Sequence, residues 1–173
     1  MRKPRILWAN YYCLLDTSSG ASISARQMLL QLLGRGIEVS ILGATIFDST
    51  RGAQKLIEQL QSVGSEDYVQ LLDGPLTHTV TVTKSTVKGE MSAAEIERWY
   101  VKYQQTLADY RPDLVIYYGG KPHDYLIAAE ARARGIPSAH YLVNGNFNGS
   151  RWCRDVDLIF TDTQATANLY KER

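Results

Sequence analysis

The chain has 173 residues, enough for one well-cored domain, and its 45% apolar and 21% charged residues are the proportions of an ordinary globular protein. With 19 basic and 18 acidic side chains the formal charge is +1, which supplies no field to steer the protein onto nucleic acid or an anionic membrane. No apolar run approaches the roughly 20 residues of a membrane span, and the opening MRKPRILW is too short and too soon polar for a signal peptide, so a cytoplasmic protein is expected, with a peripheral station at the inner membrane face left open.

In chain order, Arg5 to Asn10 is a short apolar run bounded by Pro4 and a pair of tyrosines, the mark of a buried strand. A polar hinge, DTSSGAS, precedes Ala25, Met28, Leu29 and Leu32, which repeat at the spacing of one helix face, and Gly34 and Gly36 supply the stop. Ile37 to Leu42 is a second apolar strand, completing a βαβ unit. Ala53 to Val63 is expected as a helix, Tyr68 to Leu72 as a strand, and His78 to Thr83 alternates as a half-exposed strand does. Ser92 to Glu95 is a capping box, after which Ile96, Trp99, Tyr100, Tyr103, Leu107 and Tyr110 trace one helical stripe, expected to pack in the core.

From Pro112 the rhythm resumes: a strand over Asp113 to Tyr117, a helix from Asp124 to Arg134 ended by Gly135, strands over Ser138 to Val143 and Asp157 to Thr161, and a helix from Thr163 capped by threonine or aspartate. This alternation predicts one α/β domain over residues 1–173, Rossmann-like and doubly wound, with a mostly parallel sheet and helices on both faces. Cys13 and Cys153 lack metal or disulfide-framework spacing and are expected as free thiols, and His78, His123 and His140 fall at no metal-ligand spacing, so neither a metal nor a cofactor is expected. His78 and His140 lie inside strand-like runs, which suits structural roles.

In an open parallel sheet the ligand crevice lies beyond the carboxyl ends of the strands. Those ends are polar here: Asn10-Tyr11-Tyr12, then Tyr118-Gly119-Gly120-Lys121-Pro122-His123-Asp124, then Asn144-Gly145-Asn146-Phe147-Asn148, then Thr161-Asp162-Thr163. The stretch Ser18-Ser19-Gly20-Ala21 opens the first helix, where free amides and the positive dipole end suit a phosphate, or where Ser19 or Ser22 simply caps and Gly20 simply turns. Neither G-x-G-x-x-G nor G-x-x-x-x-G-K-[ST] is present, which speaks against NAD-dependent and P-loop chemistry.

These features resemble the N-terminal half of the GT-B-fold glycosyltransferases, in particular the retaining group known as family 4. The likeness is carried by RILWANYYCLLDTSSGASISARQMLLQLLGRGIEVSIL with its Arg35-Gly36-Ile37-Glu38-Val39 step, by RPDLVIYYGG followed by ARARGIPSAHYLVNGN, and by CRDVDLIFTDTQATANLYKER. The resemblance implies the acceptor-side half of an enzyme that moves a sugar from a nucleotide-sugar donor to a sugar or glycolipid-type acceptor. It implies backbone approach of Ser19 and Gly20 to the donor pyrophosphate, and it puts Asn144 where many relatives carry a histidine touching the donor sugar.

The family's basic pair and its Glu-x7-Glu motif belong to a C-terminal domain outside these residues, so the chain is expected to be inert alone and to need that domain or a partner chain. Candidates for contact with an acceptor or sugar are Asn10, Gly119, Lys121, His123, Asn144, Asn146 and Arg151. Each has a plainer reading: Lys121 and His123 as a solvated loop before an Asp124 cap, Asn144 and Asn146 as a turn, Arg151 as a surface cation. Asp16 is either an acceptor-side base or, the favoured reading, an Asx turn. A non-catalytic Rossmann-like module that pairs with a partner chain is the alternative to the enzyme.

Overall fold

The computed structural model of the protein describes residues 2–49, 53–62, 68–87, 89–120, 123–143 and 155–171. The run after Pro4 forms β1 (Arg5–Ala9), the hinge leads into α1 (Gly20–Gly34), and β2 (Glu38–Ala44) follows. Then come α2 (Gln54–Gln61), β3 (Tyr68–Asp73), β4 (Leu76–Thr81), α3 (Ala93–Tyr110), β5 (Leu114–Tyr117), α4 (Tyr125–Ala133), β6 (Ser138–Leu142), β7 (Leu158–Thr161) and α5 (Gln164–Lys171). Among the described residues no helix is long and apolar enough to cross a membrane.

Among the described residues seven strands form one sheet, in the order β3-β4-β2-β1-β5-β6-β7. Every neighbouring pair is parallel except β3 and β4. That exception has a local cause: only Gly74 and Pro75 separate Asp73 from its partner Leu76, and a two-residue link joins antiparallel strands but is far too short for a parallel crossover. Gly74 supplies the turn's left-handed backbone, at φ +57. Strand order reverses between β1 and β5, which makes their carboxyl ends the switch point of the sheet.

Alternate residues of each strand serve opposite layers, as a period of two requires. Leu7, Ala9 and Tyr11 face one layer with Trp99, Tyr103 and Leu107 of α3 and Ile127, Ala128 and Ala131 of α4. Ile6 and Trp8 face the other with Ala25 and Leu29 of α1. A third cluster joins Cys13, Phe47 and Val80 to Ile57 and Leu60 of α2. The predicted stripe on α3 is therefore core, and Cys13 is a buried free thiol, while Cys153 lies outside the described residues. The sheet thins toward its last edge, where Leu158 and Ile159 of β7 are exposed and α5 buries no residue.

The capping box is present in both halves: Ser92 accepts from the Glu95 amide, and the Glu95 carboxylate accepts from the Ser92 amide at 2.8 Å. That carboxylate also accepts from the Lys84 amide at 2.7 Å and the Ser85 amide at 3.1 Å, tying the segment before α3 to the helix. Burial pushes the Glu95 pKa upward, but the hydrogen bonds from Ser92, Ser85 and Lys84 outweigh it and hold the acid at about 2.

Candidate functional site

The DTSSGAS hinge is shaped by its own side chains. Asp16 accepts through Oδ1 from the Ser18 amide at 2.9 Å and the Ser18 hydroxyl at 2.6 Å, and through Oδ2 from the Asp48 amide at 2.7 Å. It is an Asx turn that also fastens the hinge to the segment after β2. Ser19 is the N-cap of α1, its Oγ accepting from the Ser22 amide at 3.4 Å. The amides of Gly20 and Ala21, in the first helical turn, have no intrahelical acceptor by helix geometry and carry the positive end of the dipole.

These amides open on a cleft of about 410 Å³ shared by Ser19, Gly20, Ala21 and Ser24 of α1 with Asp48, Tyr118, Val143 and Asp162. Strand ends far apart in sequence thus meet at one mouth beside the α1 terminus. Among its described lining residues the cleft has two carboxylates and no basic side chain. Amide donors at one edge and carboxylate acceptors at another can bind a ligand that carries both an anionic group and hydroxyls.

A second cleft, of about 160 Å³, lies on the α3 and α4 side of the same strand end, lined by Tyr11, Tyr12, Ile46, Gly89, Met91, Ile96 and His123. The Tyr11 ring packs on Trp99 with centroids 4.0 Å apart and meets the His123 imidazole edge-on at 4.7 Å. Tyr12, of this cleft, lies 6.2 Å from Tyr118, of the first, so two tyrosines stand between the two spaces.

Behind the second cleft the loop after β5 is fixed by buried groups. The carboxylate of Asp124 accepts from the Gly120 amide at 2.8 Å, and Tyr125 donates to the Gly120 carbonyl at 3.0 Å. Gly119 has φ +139, and a Cβ there would lie 2.3 Å from Asp124 Oδ2. Its carbonyl lies 2.7 Å from Nε2 of His140, a fully buried side chain of β6. Burial lowers the His140 pKa to about 4, against a smaller upward effect of that carbonyl, so the imidazole is neutral at physiological pH.

The predicted site residues are therefore distributed. Ser19 and Gly20 line the first cleft and His123 the second. Asn10 lies beneath the rim, 2% exposed, its Oδ1 accepting from the Tyr12 amide at 3.2 Å. Gly119 is buried between Asp124 and His140. Lys121, Asn144, Asn146 and Arg151 lie outside the described residues. The expected Asp124 cap is corrected: this residue stands at the N-cap position of α4 with helical backbone angles, φ -66 and ψ -27, where a capping residue is extended, and it makes no side-chain cap bond, its Oδ2 accepting from the Gly120 amide instead. Reasoning from the sequence passed over Asp48, Ile46 and Met91, and the available signal for the second cleft was the Tyr11-Tyr12 pair directly after a strand at the switch point.

A mostly parallel, doubly wound sheet with its clefts at the switch point is a Rossmann-like arrangement of the kind found in one half of a GT-B fold. Solved structures agree. A Listeria monocytogenes protein assigned as a UDP-N-acetylglucosamine 2-epimerase matches 99% of this chain at 12% identity with a TM-score of 0.60. The UDP-GlcNAc 2-epimerase of Neisseria meningitidis, solved bound to UDP-GlcNAc, matches 97% at 12% identity and 0.54. MurG from Acinetobacter baumannii matches 94% at 15% identity and 0.54. This chain spans 43%, 43% and 42% of the length of these proteins. Identity this low speaks for the fold alone. No protein-family model matches the sequence, and no curated protein does.

Proposed function

We propose that this chain is the acceptor-side half of a glycosyltransferase that moves a sugar from a nucleotide-sugar donor to an acceptor. One observation carries the reading: the free amides of α1 and the ends of several strands open on a common cleft at the switch point. The GT-B likeness supports it at the level of fold. In this reading Gly20 and Ala21 hold the donor diphosphate, while Asp48 and Asp162, which repel phosphate, accept hydrogen bonds from sugar hydroxyls.

The half is inert by itself. A departing diphosphate needs preorganised positive charge, the loss of one such donor costs on the order of 10²–10³ in rate, and the described lining of the cleft offers amides without a cation. A second domain or partner chain supplies it, and no metal enters the scheme. A regulatory module that pairs with a partner chain is the second reading, favoured by Leu158, Ile159 and Leu169 exposed on β7 and α5.

The test uses the purified chain with UDP-glucose, UDP-GlcNAc and GDP-mannose and a panel of saccharide acceptors. Weak, saturable shifts of the Gly20 and Ala21 amide resonances without release of nucleoside diphosphate are expected. Sustained turnover by the chain alone overturns its inertness, and unmoved amides with all three donors overturn the donor-side assignment in favour of the module.

A further inference from the structure

The Asp16 side chain is 2% exposed and does more than a turn asks of it. An Asx turn needs one side-chain oxygen, and Oδ1 fills that part by accepting from the Ser18 amide and hydroxyl. Oδ2 serves another segment: it accepts at 2.7 Å from the amide of Asp48, 32 positions further along the chain. A carboxylate costs more to bury than the neutral asparagine that would make the same turn, and what it offers in exchange is the second accepting oxygen.

The two segments joined in this way both line the first cleft. Ser18 directly precedes the Ser19 cap, and so fixes the start of α1, whose Gly20 and Ala21 amides open on that cleft. Asp48 lends the same cleft its exposed carboxylate. With its backbone amide held, the Asp48 side chain has only its own torsions to explore, and a group already in place meets a ligand without first being ordered. Asp162, the other carboxylate of the cleft, has a separate tie, accepting from the Tyr141 hydroxyl at 3.2 Å. Asp16 therefore governs the spacing between the amides and one acid, not the whole cleft.

We propose that Asp16 is a positioning residue: it sets the distance between the amides that hold the donor diphosphate and the Asp48 carboxylate that holds the donor sugar, and so sets how strongly the cleft prefers a nucleotide sugar to the bare nucleotide. Its role in donor binding rests on the glycosyltransferase reading, whereas the clamp itself rests on the hydrogen bonds of the unliganded protein.

Asp16→Asn separates the two oxygens. Asparagine has one accepting oxygen and a donating nitrogen, so it can serve the Ser18 amide or the Asp48 amide but not both. In the unliganded variant, amide hydrogen exchange should quicken about tenfold at one of these two residues and hold at the other. Binding of UDP and of UDP-glucose is then followed through the Gly20 and Ala21 amide resonances of both proteins. The two ligands share a diphosphate and differ by the sugar, so the charge removed at position 16 acts on both and largely cancels in the ratio of their affinities. The preference for UDP-glucose over UDP should fall about tenfold in the variant, the worth of one hydrogen bond to a charged group. A purely structural Asp16 weakens both ligands alike. Should the variant not fold, Ser18→Ala removes only the hydroxyl's bond to Oδ1 and should lower the same preference roughly twofold to threefold.

Exchange that moves at neither residue or at both, or an unchanged preference with both ligands bound, overturns the positioning role and leaves the donor reading standing. Gly20 and Ala21 amides unmoved by either ligand in the unaltered protein overturn the donor reading and the role of Asp16 in binding with it, while the exchange measurement still decides the clamp.

Discussion

The two clefts at the end of β1 have a pair of tyrosines between them, yet they are built in opposite ways. The first is an open mouth of backbone amides and the exposed side chains of Asp48 and Asp162, held by an Asx turn and one serine cap. The second is lined by Tyr11, Tyr12 and His123 and backed by a loop in which Asp124 and His140 hold the backbone of Gly120 and Gly119, and Gly119 leaves no room for a side chain. The contrast teaches where specificity and tolerance reside: a substitution in the second region should propagate into the core, while one in the first should stay local.

The strongest way to break that contrast is Gly119→Ala. The new Cβ would press on the Asp124 carboxylate at a backbone angle that side chains rarely adopt, and a loss of about 3–4 kcal/mol is expected in urea denaturation. Gly20→Ala, in the open mouth with nothing within 4 Å of the added Cβ, should be neutral or slightly stabilising. Comparable losses in both would erase the distinction.

Acid probes the same buried loop. His140 titrates near 4 when folded and near 6.5 when unfolded, so its contribution is complete above pH 6.5 and is lost as the pH falls from 6.5 toward 4, by about 3 kcal/mol in all. Burial lowers the His78 pKa as well, so the two act in the same direction. His140→Gln should flatten, without abolishing, the dependence of the urea midpoint on pH over that range.

Smaller effects belong to the open side. Ser19→Ala removes the cap of α1 and should cost about 1 kcal/mol, read as a fall in Tm. Asp48→Asn should leave stability within a few tenths of a kcal/mol and tighten UDP-glucose severalfold at low salt, an advantage that fades as ionic strength rises.

Much of the architecture is legible in the sequence because it rests on local patterns. The apolar run after Pro4, the Gly36 step, the Ser92 box and the stripe from Ile96 to Tyr110 each state their element, and their alternation states the parallel sheet. The β3–β4 pairing is less apparent, since alternation shows two strands without naming their partners; the Gly74-Pro75 link decides it. Of the candidate site, the helix terminus at Ser19 and Gly20 is readable as a turn followed by a helix. The second cleft is not, because Tyr11, Ile46, Met91 and His123 come from four separate parts of the chain and only the fold brings them together. Asp124 misleads for a related reason: position suggests a helix cap, but its backbone is already helical and its Oδ2 accepts from the Gly120 amide instead.

Glu95 has a kinetic consequence. Its carboxylate anchors Lys84, Ser85 and Ser92, the segment that also bears Gly89 and Met91, so the wall of the closed cleft forms together with α3 instead of swinging as an independent flap. Amide exchange at Lys84 and Ser85 should then slow and quicken in step with the first turn of α3.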